Sequence, residues 1–234
     1  MRICFLGTNE RLQYLRDQAS PGVELDNMAD FSGKASRPIS IESRGEEIEL
    51  AGWVIERAIE AERRGFDAVI TGCFGDPGVE AARERVRIPV IAPGETALLT
   101  ARMLAHHFSI ISPLPQTVPI AREQAHKVGV DKFVASIRPF GVPVERIRDR
   151  DPATIDKLVT LGRKCVEEDG AELIVFACAS MSLLTDIVQP QIGVPCINSV
   201  KLSLKAAEML VGAGLTHSAV TFPTPAKMNS REAA

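Results

Sequence analysis

The chain repeats itself. Gly65 and Gly170 lie 105 positions apart, and so do Cys73 and Cys178. After a one-residue insertion, Pro89 matches Pro195, Ile91 matches Ile197, and Met103-Leu104 matches Met209-Leu210, all at a spacing of 106. A single match would carry little weight, because helix–strand units resemble one another. An ordered set that includes both cysteines points to a duplicated unit.

The local patterns agree. Residues 1–6 read as a short buried strand ending at Gly7-Thr8-Asn9, and 10–45 read as irregular, with Pro21-Gly22 and Pro38 as breakers. Apolar residues at helical spacing predict a helix over 46–64, closed by Gly65. A strand at 68–70, a helix over 77–85, a strand at 90–92 and a helix over 95–106 follow. The second pass opens with a strand at 108–111. A helix over 152–168, a strand at 173–176, a short helix, a strand at 196–197 and a helix over 202–210 complete it. Strands alternating with helices imply parallel sheets covered on both faces. The expected fold is α/β, with two pseudo-symmetric lobes, each a parallel sheet flanked by helices, and an active site in the cleft between them. The first lobe is assigned residues 1–97 plus 206–234, and the second residues 98–205.

Open parallel sheets bind ligands beyond the carboxyl ends of their strands. Cys73 and Cys178 both stand there, each before a turn into a helix. Asp76 is an expected N-cap with Pro77 at the first helical position, and Ser180 or Ser182 an expected cap for the helix after Cys178. A thiol beside a helix N-terminus gains stabilisation of its thiolate, which lowers its pKa from about 8.5 toward neutrality. Cysteine otherwise packs as a small hydrophobe, and that is the reading for Cys4, Cys165 and Cys196. Two thiols facing each other across a cleft suit racemisation. One, as thiolate, removes a proton from a carbon acid, and the other delivers a proton to the opposite face. Backbone N–H groups after each cysteine would hold the carbanion's charge. This scheme requires no cofactor.

Other chemistries find little support. Five cysteines, odd in number and without a CxxC pair, make neither a disulfide framework nor a zinc site, and no metal is expected. The first strand is not followed by a phosphate-binding glycine pattern. A net charge of −3 offers no attraction for nucleic acid or an anionic membrane. No apolar run is long enough to span a bilayer, and the N-terminal run is too short for a signal sequence. The chain is expected in the cytoplasm, with a small-molecule substrate as partner. Residues 223–234, poor in apolar side chains, are expected to form a mobile tail.

"GCFGDPGVEAARE" around Cys73, followed by "PVIAPGE", resembles the first signature of the hydantoin racemase branch of the aspartate/glutamate racemase superfamily. "IVFACASMS" around Cys178, followed by "GVPCINSV", stands in the place of the second signature. The resemblance implies that Cys73 and Cys178 are the acid/base pair of a cofactor-independent racemase. It places Asn9 as a substrate-contacting residue, Phe74, Gly75 and Ala179 as backbone donors, and Ser112 at the border of the pocket. A homo-oligomer is expected on the same ground. The expected substrate is a 5-substituted hydantoin or a related cyclic ureide such as allantoin. Other activities of the superfamily, or a non-catalytic accessory role, are the alternatives. The chain departs from the family pattern at Gly7-Thr8-Asn9, where Asn-Pro-Asn is usual, and at Ala177 and Ser180, where glycines are usual. The stretch at 138–149 has no counterpart in this pattern and is a candidate part of a loop over the cleft.

Overall fold

The computed structural model describes residues 1–34, 37, 38 and 40–225. Its first half contains β1 (Arg2–Leu6), α1 (Asn9–Gln18), β2 (Glu24–Asp26), α2 (Arg44–Arg63), β3 (Ala68–Thr71), α3 (Val79–Arg83), β4 (Val90–Ile91) and α4 (Pro93–Leu104). The second half contains β5 (Phe108–Ser112), α5 (Val118–Lys127), β6 (Val134–Pro139), α6 (Val144–Arg148), α7 (Pro152–Glu167), β7 (Leu173–Phe176), α8 (Thr185–Ile192), β8 (Cys196–Ile197) and α9 (Ser199–Gly212).

The strands form two four-stranded parallel sheets, in the orders β2-β1-β3-β4 and β6-β5-β7-β8. The duplication survives at the level of register. Ile3 pairs with Ala68 and Phe108 with Leu173. Val69 pairs with Val90 and Ile174 with Cys196. β3, β5 and β7 are buried at every position, as strands covered by helices on both faces must be. Around the first sheet, Cys4, Leu6 and Val69 pack on Trp53, Val54 and Ala58 of α2, while Ile3, Phe5 and Ile70 face α1 and α9. Around the second, Ile174 and Phe176 pack on α7 and α8, while Phe108, Ile110 and Val175 face α4 and α5.

α4 and α9 cross between the sheets. Ala97, Leu98 and Ala101 of α4 join the core of the second sheet, whereas Val200, Leu204 and Ala207 of α9 join the core of the first. Leu98 and Leu204, like Ala101 and Ala207, preserve the spacing of 106. The expected lobe boundaries at 97/98 and 205/206 fall inside these two helices.

The helix ends carry ordinary chemistry. Ser43 caps α2 by accepting from the Glu46 N–H, while the Glu46 carboxylate accepts from the Ser43 hydroxyl at 2.9 Å and from the Glu42 N–H at 2.7 Å. Asp151 caps α7 by accepting from the Thr154 N–H at 3.0 Å. Gly65 and Gly170 each have φ +72°, a backbone that costs glycine little as the chain leaves a helix.

Several expectations differ from the structure. Residues 10–45 are not uniformly irregular, because they contain α1 and β2. α1 buries only Arg11, Leu12 and Leu15, and β2 only Leu25, so neither has an apolar pattern of its own. α5, β6 and α6 are absent from the sequence expectation, and 138–149 ends β6, forms the connection at 140–143 and supplies α6. Asp76 does not cap its own helix, since the N-cap of α3 is Gly78. Neither Ser180 nor Ser182 caps the segment after Cys178 by its side chain; the Ser182 hydroxyl instead meets that of Ser199 at 3.0 Å. Of the expected tail, the residues to 225 are described and include a docked part. There Thr224 donates to the Glu84 carbonyl, and just before the tail His217 bonds the Val86 carbonyl oxygen at 2.8 Å. The rest of the expected tail lies outside the described residues.

Candidate active site

A recess, part of it open to solvent, lies at the carboxyl ends of the strands, where open parallel sheets bind ligands. Leu6 from β1, Cys73 after β3, Ser112 from β5 and Cys178 after β7 all line it. Both sheets therefore contribute to one site.

The two cysteine turns are built alike. The Cys73 carbonyl accepts from the Asp76 N–H at 3.2 Å, and the Cys178 carbonyl from the Met181 N–H at 3.0 Å. The residue after each cysteine packs into the opposite core. Phe74 joins the cluster around Phe108 and Ile110, and Ala179 joins the cluster around Ile3 and Phe5. Each cysteine turn is thus held from across the cleft. A Cβ at Gly72 would overlap the Leu6 carbonyl oxygen, so β3 ends pressed against β1, and a glycine there is a packing requirement. On the other side Ala177 fits, its N–H donating to the Ile111 carbonyl at 2.9 Å.

Asp76 supports the first turn. It is buried, with φ +53°. Its Oδ1 accepts from the Gly94 N–H at 3.0 Å, and its Oδ2 from the Glu95 N–H and Gln124 Nε2, both at 2.8 Å. One carboxylate therefore joins the Cys73 turn, the start of α4 and α5. Burial pushes its carboxyl up to about 7, with the two backbone N–H groups pulling the other way.

Electrostatics at Cys73 differ from the sequence expectation. Burial pushes its thiol up to about 12, and Glu47, Asp76 and Cys178 add to the rise. The Gly75 N–H, directed at the sulfur, opposes it. The expected helix effect fails for a geometric reason. The five-residue α3 begins only at Val79, beyond the first-turn range of helix end charges, so desolvation wins. Cys4, Cys165 and Cys196 are buried in the sheets and their covering helices. Burial raises their thiols too, those of Cys4 and Cys196 to about 12 and that of Cys165 to about 11.

Of the expected site residues, the structure brings Cys73, Phe74, Gly75, Ser112, Cys178 and Ala179 to the recess. Ser112 is 2.7 Å from Thr117 Oγ1, which itself donates to the Leu114 carbonyl. The Ser112 hydroxyl is then the donor in that pair and presents its lone pairs elsewhere. Asn9 is placed otherwise. It is exposed, accepts from Asn27 Nδ2 at 2.6 Å and does not line the recess, because α1 begins at this residue and turns it outward.

Arg11, Arg37, Glu47 and Arg148 line the recess and were not singled out from the sequence. The available signal for Arg11 was its place beside Leu12 and Leu15 on the otherwise polar α1; Arg148 lay in the flagged stretch 138–149. Arg11 is 5% exposed and donates to the Gly72 carbonyl at 2.9 Å and to Thr8 Oγ1 at 3.2 Å. Glu47, buried, is held by Arg44 at 3.0 Å, and desolvation raises its carboxyl.

The chain matches the model of the Asp/Glu/Hydantoin racemase family over residues 10–207. It is 35% identical over 196 residues to a hydantoin racemase of Rhizobium meliloti, covering 83% of this chain and 81% of that protein. Against a hydantoin racemase of Pseudomonas sp. (strain NS671) the identity is 38% over 194 residues, covering 81% and 77%. The structure of an allantoin racemase from Klebsiella pneumoniae superposes with a TM-score of 0.86 at 30% identity, covering 96% of this chain and 94% of that one. A glutamate racemase from Francisella tularensis, at TM-score 0.61 and 14% identity over 93% of this chain and 82% of that one, shares the fold. With its duplicated sheets and paired cysteine turns, the chain belongs to the Asp/Glu/hydantoin racemase family, in its hydantoin racemase branch, and is an isomerase of the racemase type.

Proposed function

We propose that this racemase inverts a carbon acid next to a carbonyl by using Cys73 and Cys178 as its two acid/base groups, without a cofactor. The substrate in this reading is a 5-substituted hydantoin or a related cyclic ureide such as allantoin. The observation that carries it is the pair of equivalent cysteine turns opening into one recess from two sheets. The hydantoin and allantoin racemases among its relatives support the substrate class.

With its pKa near 12, Cys73 rests as a thiol at neutral pH, the form that delivers a proton. In one turnover the thiolate of Cys178 takes the proton from the substrate carbon. The electron pair moves onto the adjacent carbonyl, and the Cys73 S–H protonates the opposite face. Cys73 is left as thiolate and Cys178 as thiol, which is the state that accepts the mirror-image substrate. Burial works against the Cys73 thiolate and so makes it a stronger base toward a weakly acidic C–H.

The test uses single-enantiomer hydantoins and allantoin in heavy water, following optical rotation and deuterium incorporation. Wild type is expected to racemise at least one of them with solvent exchange at the stereocentre, and Cys73→Ser and Cys178→Ser each to lose racemisation. Full activity in either variant would refute the two-cysteine mechanism, and absence of exchange on every substrate would remove the substrate class.

A further inference from the structure

The two cysteine turns are duplicates of each other, but not at every position. Counted from the cysteines, Gly75 of the first turn corresponds to Ser180 of the second, 105 residues on. At Gly75 the place of a side chain is taken, since a Cβ there would meet the Glu47 carboxylate and lie 3.5 Å from Ile120. Ser180 instead carries its hydroxymethyl group on ordinary helical backbone, with φ −72° and ψ −30°. The pseudo-symmetry of the recess is therefore broken beside Cys178, by a hydroxyl.

That hydroxyl is uncommitted. Among the described residues, four buried hydroxyls line the recess, those of Thr71, Ser112, Thr117 and Ser180. Thr71 donates to the Ile91 carbonyl at 3.4 Å, Thr117 to the Leu114 carbonyl at 2.9 Å, and Ser112 to Thr117 at 2.7 Å. Ser180, only 6% exposed, caps no helix and has no side-chain hydrogen bond among the described residues. Its oxygen is not one of the sealed, unpartnered atoms of the interior. It stands in the wall between the recess and a smaller one beside Thr8 and Arg11, and opens there. A buried hydroxyl without a partner is costly, and an acceptor on a ligand offsets that cost.

In the mechanism proposed above both turns carry the same proton transfer, and the first does so with no side chain at this position. The reacting carbon and its carbonyl are thus served by what the turns share. A hydroxyl on one turn alone addresses another part of the substrate. We infer that Ser180 is a specificity-determining residue, whose hydroxyl donates to a carbonyl oxygen on the substituent of the reacting carbon. The recess then takes a ureido or carbamoyl arm in preference to an alkyl one. Inversion moves the hydrogen from one face to the other and leaves the arm near its place, so one hydroxyl serves both enantiomers. The ring identity rests on the function proposed above; the polarity of the arm rests on Ser180.

Allantoin and 5-isobutylhydantoin decide it, because the ureido and isobutyl arms are nearly equal in shape and only the first carries an acceptor. Single enantiomers are followed in heavy water, with uncatalysed exchange subtracted. The kcat/KM of the wild type is expected to favour allantoin on the order of 30-fold, since an alkyl arm leaves the hydroxyl unpaired. Alanine and glycine both adopt the backbone of Ser180 without strain. In Ser180→Ala and Ser180→Gly the preference is expected to fall about 10-fold or more, mainly through a higher KM for allantoin. If Ser180 only supports the Cys178 turn, both substrates lose kcat alike and the ratio keeps its wild-type value, which overturns the inference. Absence of an allantoin preference in the wild type overturns it also. Calorimetric titration of the two compounds separates recognition from reaction. Allantoin-selective binding that is lost in Ser180→Ala, without deuterium exchange, leaves the role of Ser180 standing and removes the racemase reading for this ring. Exchange of both compounds without selectivity does the reverse, and failure of both to bind overturns the two together.

Discussion

Asp76→Asn tests whether a buried carboxylate ties the first cysteine turn to the neighbouring helices. The side chain accepts from the Gly94 and Glu95 N–H groups and from Gln124 Nε2, and burial pushes its carboxyl up to about 7. The unfolded chain titrates near 3.9. The native state therefore binds the proton more tightly, and this group's contribution is full below about pH 4 and lost as the pH rises through 7. Over pH 5 to 8 the linkage amounts to about 2.5 kcal/mol of lost stability. Asparagine has nearly the same shape and does not titrate, so that loss disappears in the variant. It has one acceptor oxygen where the carboxylate has two. Gln124 can turn its amide to meet the new N–H₂, but one backbone N–H of α4 is left unpaired, at a cost of about 1–3 kcal/mol. Asp76→Asn is thus expected to be less stable than wild type at pH 5 and comparable to it at pH 8. Urea unfolding followed by the fluorescence of Trp53, the only tryptophan, at pH 5, 6.5 and 8 under reducing conditions measures the difference. A gap between variant and wild type that stays constant across these pH values would refute the reasoning.

The packing and charge around the turns yield further predictions. Gly72→Ala sets its Cβ against the Leu6 carbonyl, a backbone atom that cannot rotate away; it is expected to cost roughly 1–3 kcal/mol in urea unfolding and to abolish activity. Gly75→Ala meets the end of the flexible Glu47 side chain instead, so its stability should stay within about 1 kcal/mol of wild type in the same assay. With its thiol raised from 9.0 to about 12, Cys73 in the ligand-free protein should be alkylated by iodoacetamide on the order of 1,000-fold more slowly at pH 7.5 than an unperturbed thiol. Mass-mapped labelling checks this, and rapid modification of Cys73 at neutral pH would contradict it. Glu47→Gln removes a carboxylate that raises that thiol, so the pH midpoint of Cys73 labelling should move down; an unchanged or higher midpoint would show that Glu47 does not act on the sulfur.

Sequence by itself determined the duplication, the central strands and the two cysteines. These are carried by signals that a local stretch of chain must show. A strand buried on both faces is apolar at every position, as in Leu173–Phe176, and a helix that must turn back into a sheet ends in a glycine with positive φ, as at Gly65 and Gly170. The edge strand β2 escaped because only Leu25 of its three residues is buried, and α1 because a buried arginine interrupts its apolar face. Tertiary structure alone decided which surfaces meet. It sent α4 and α9 each to the other sheet and turned Asp76 from its own helix to α4. It left Asn9 outside the recess and gathered Arg11, Arg37 and Arg148 within it. It also reversed the expected effect on the Cys73 thiol, because desolvation depends on all the atoms around a sulfur and not on the residues next to it in the chain.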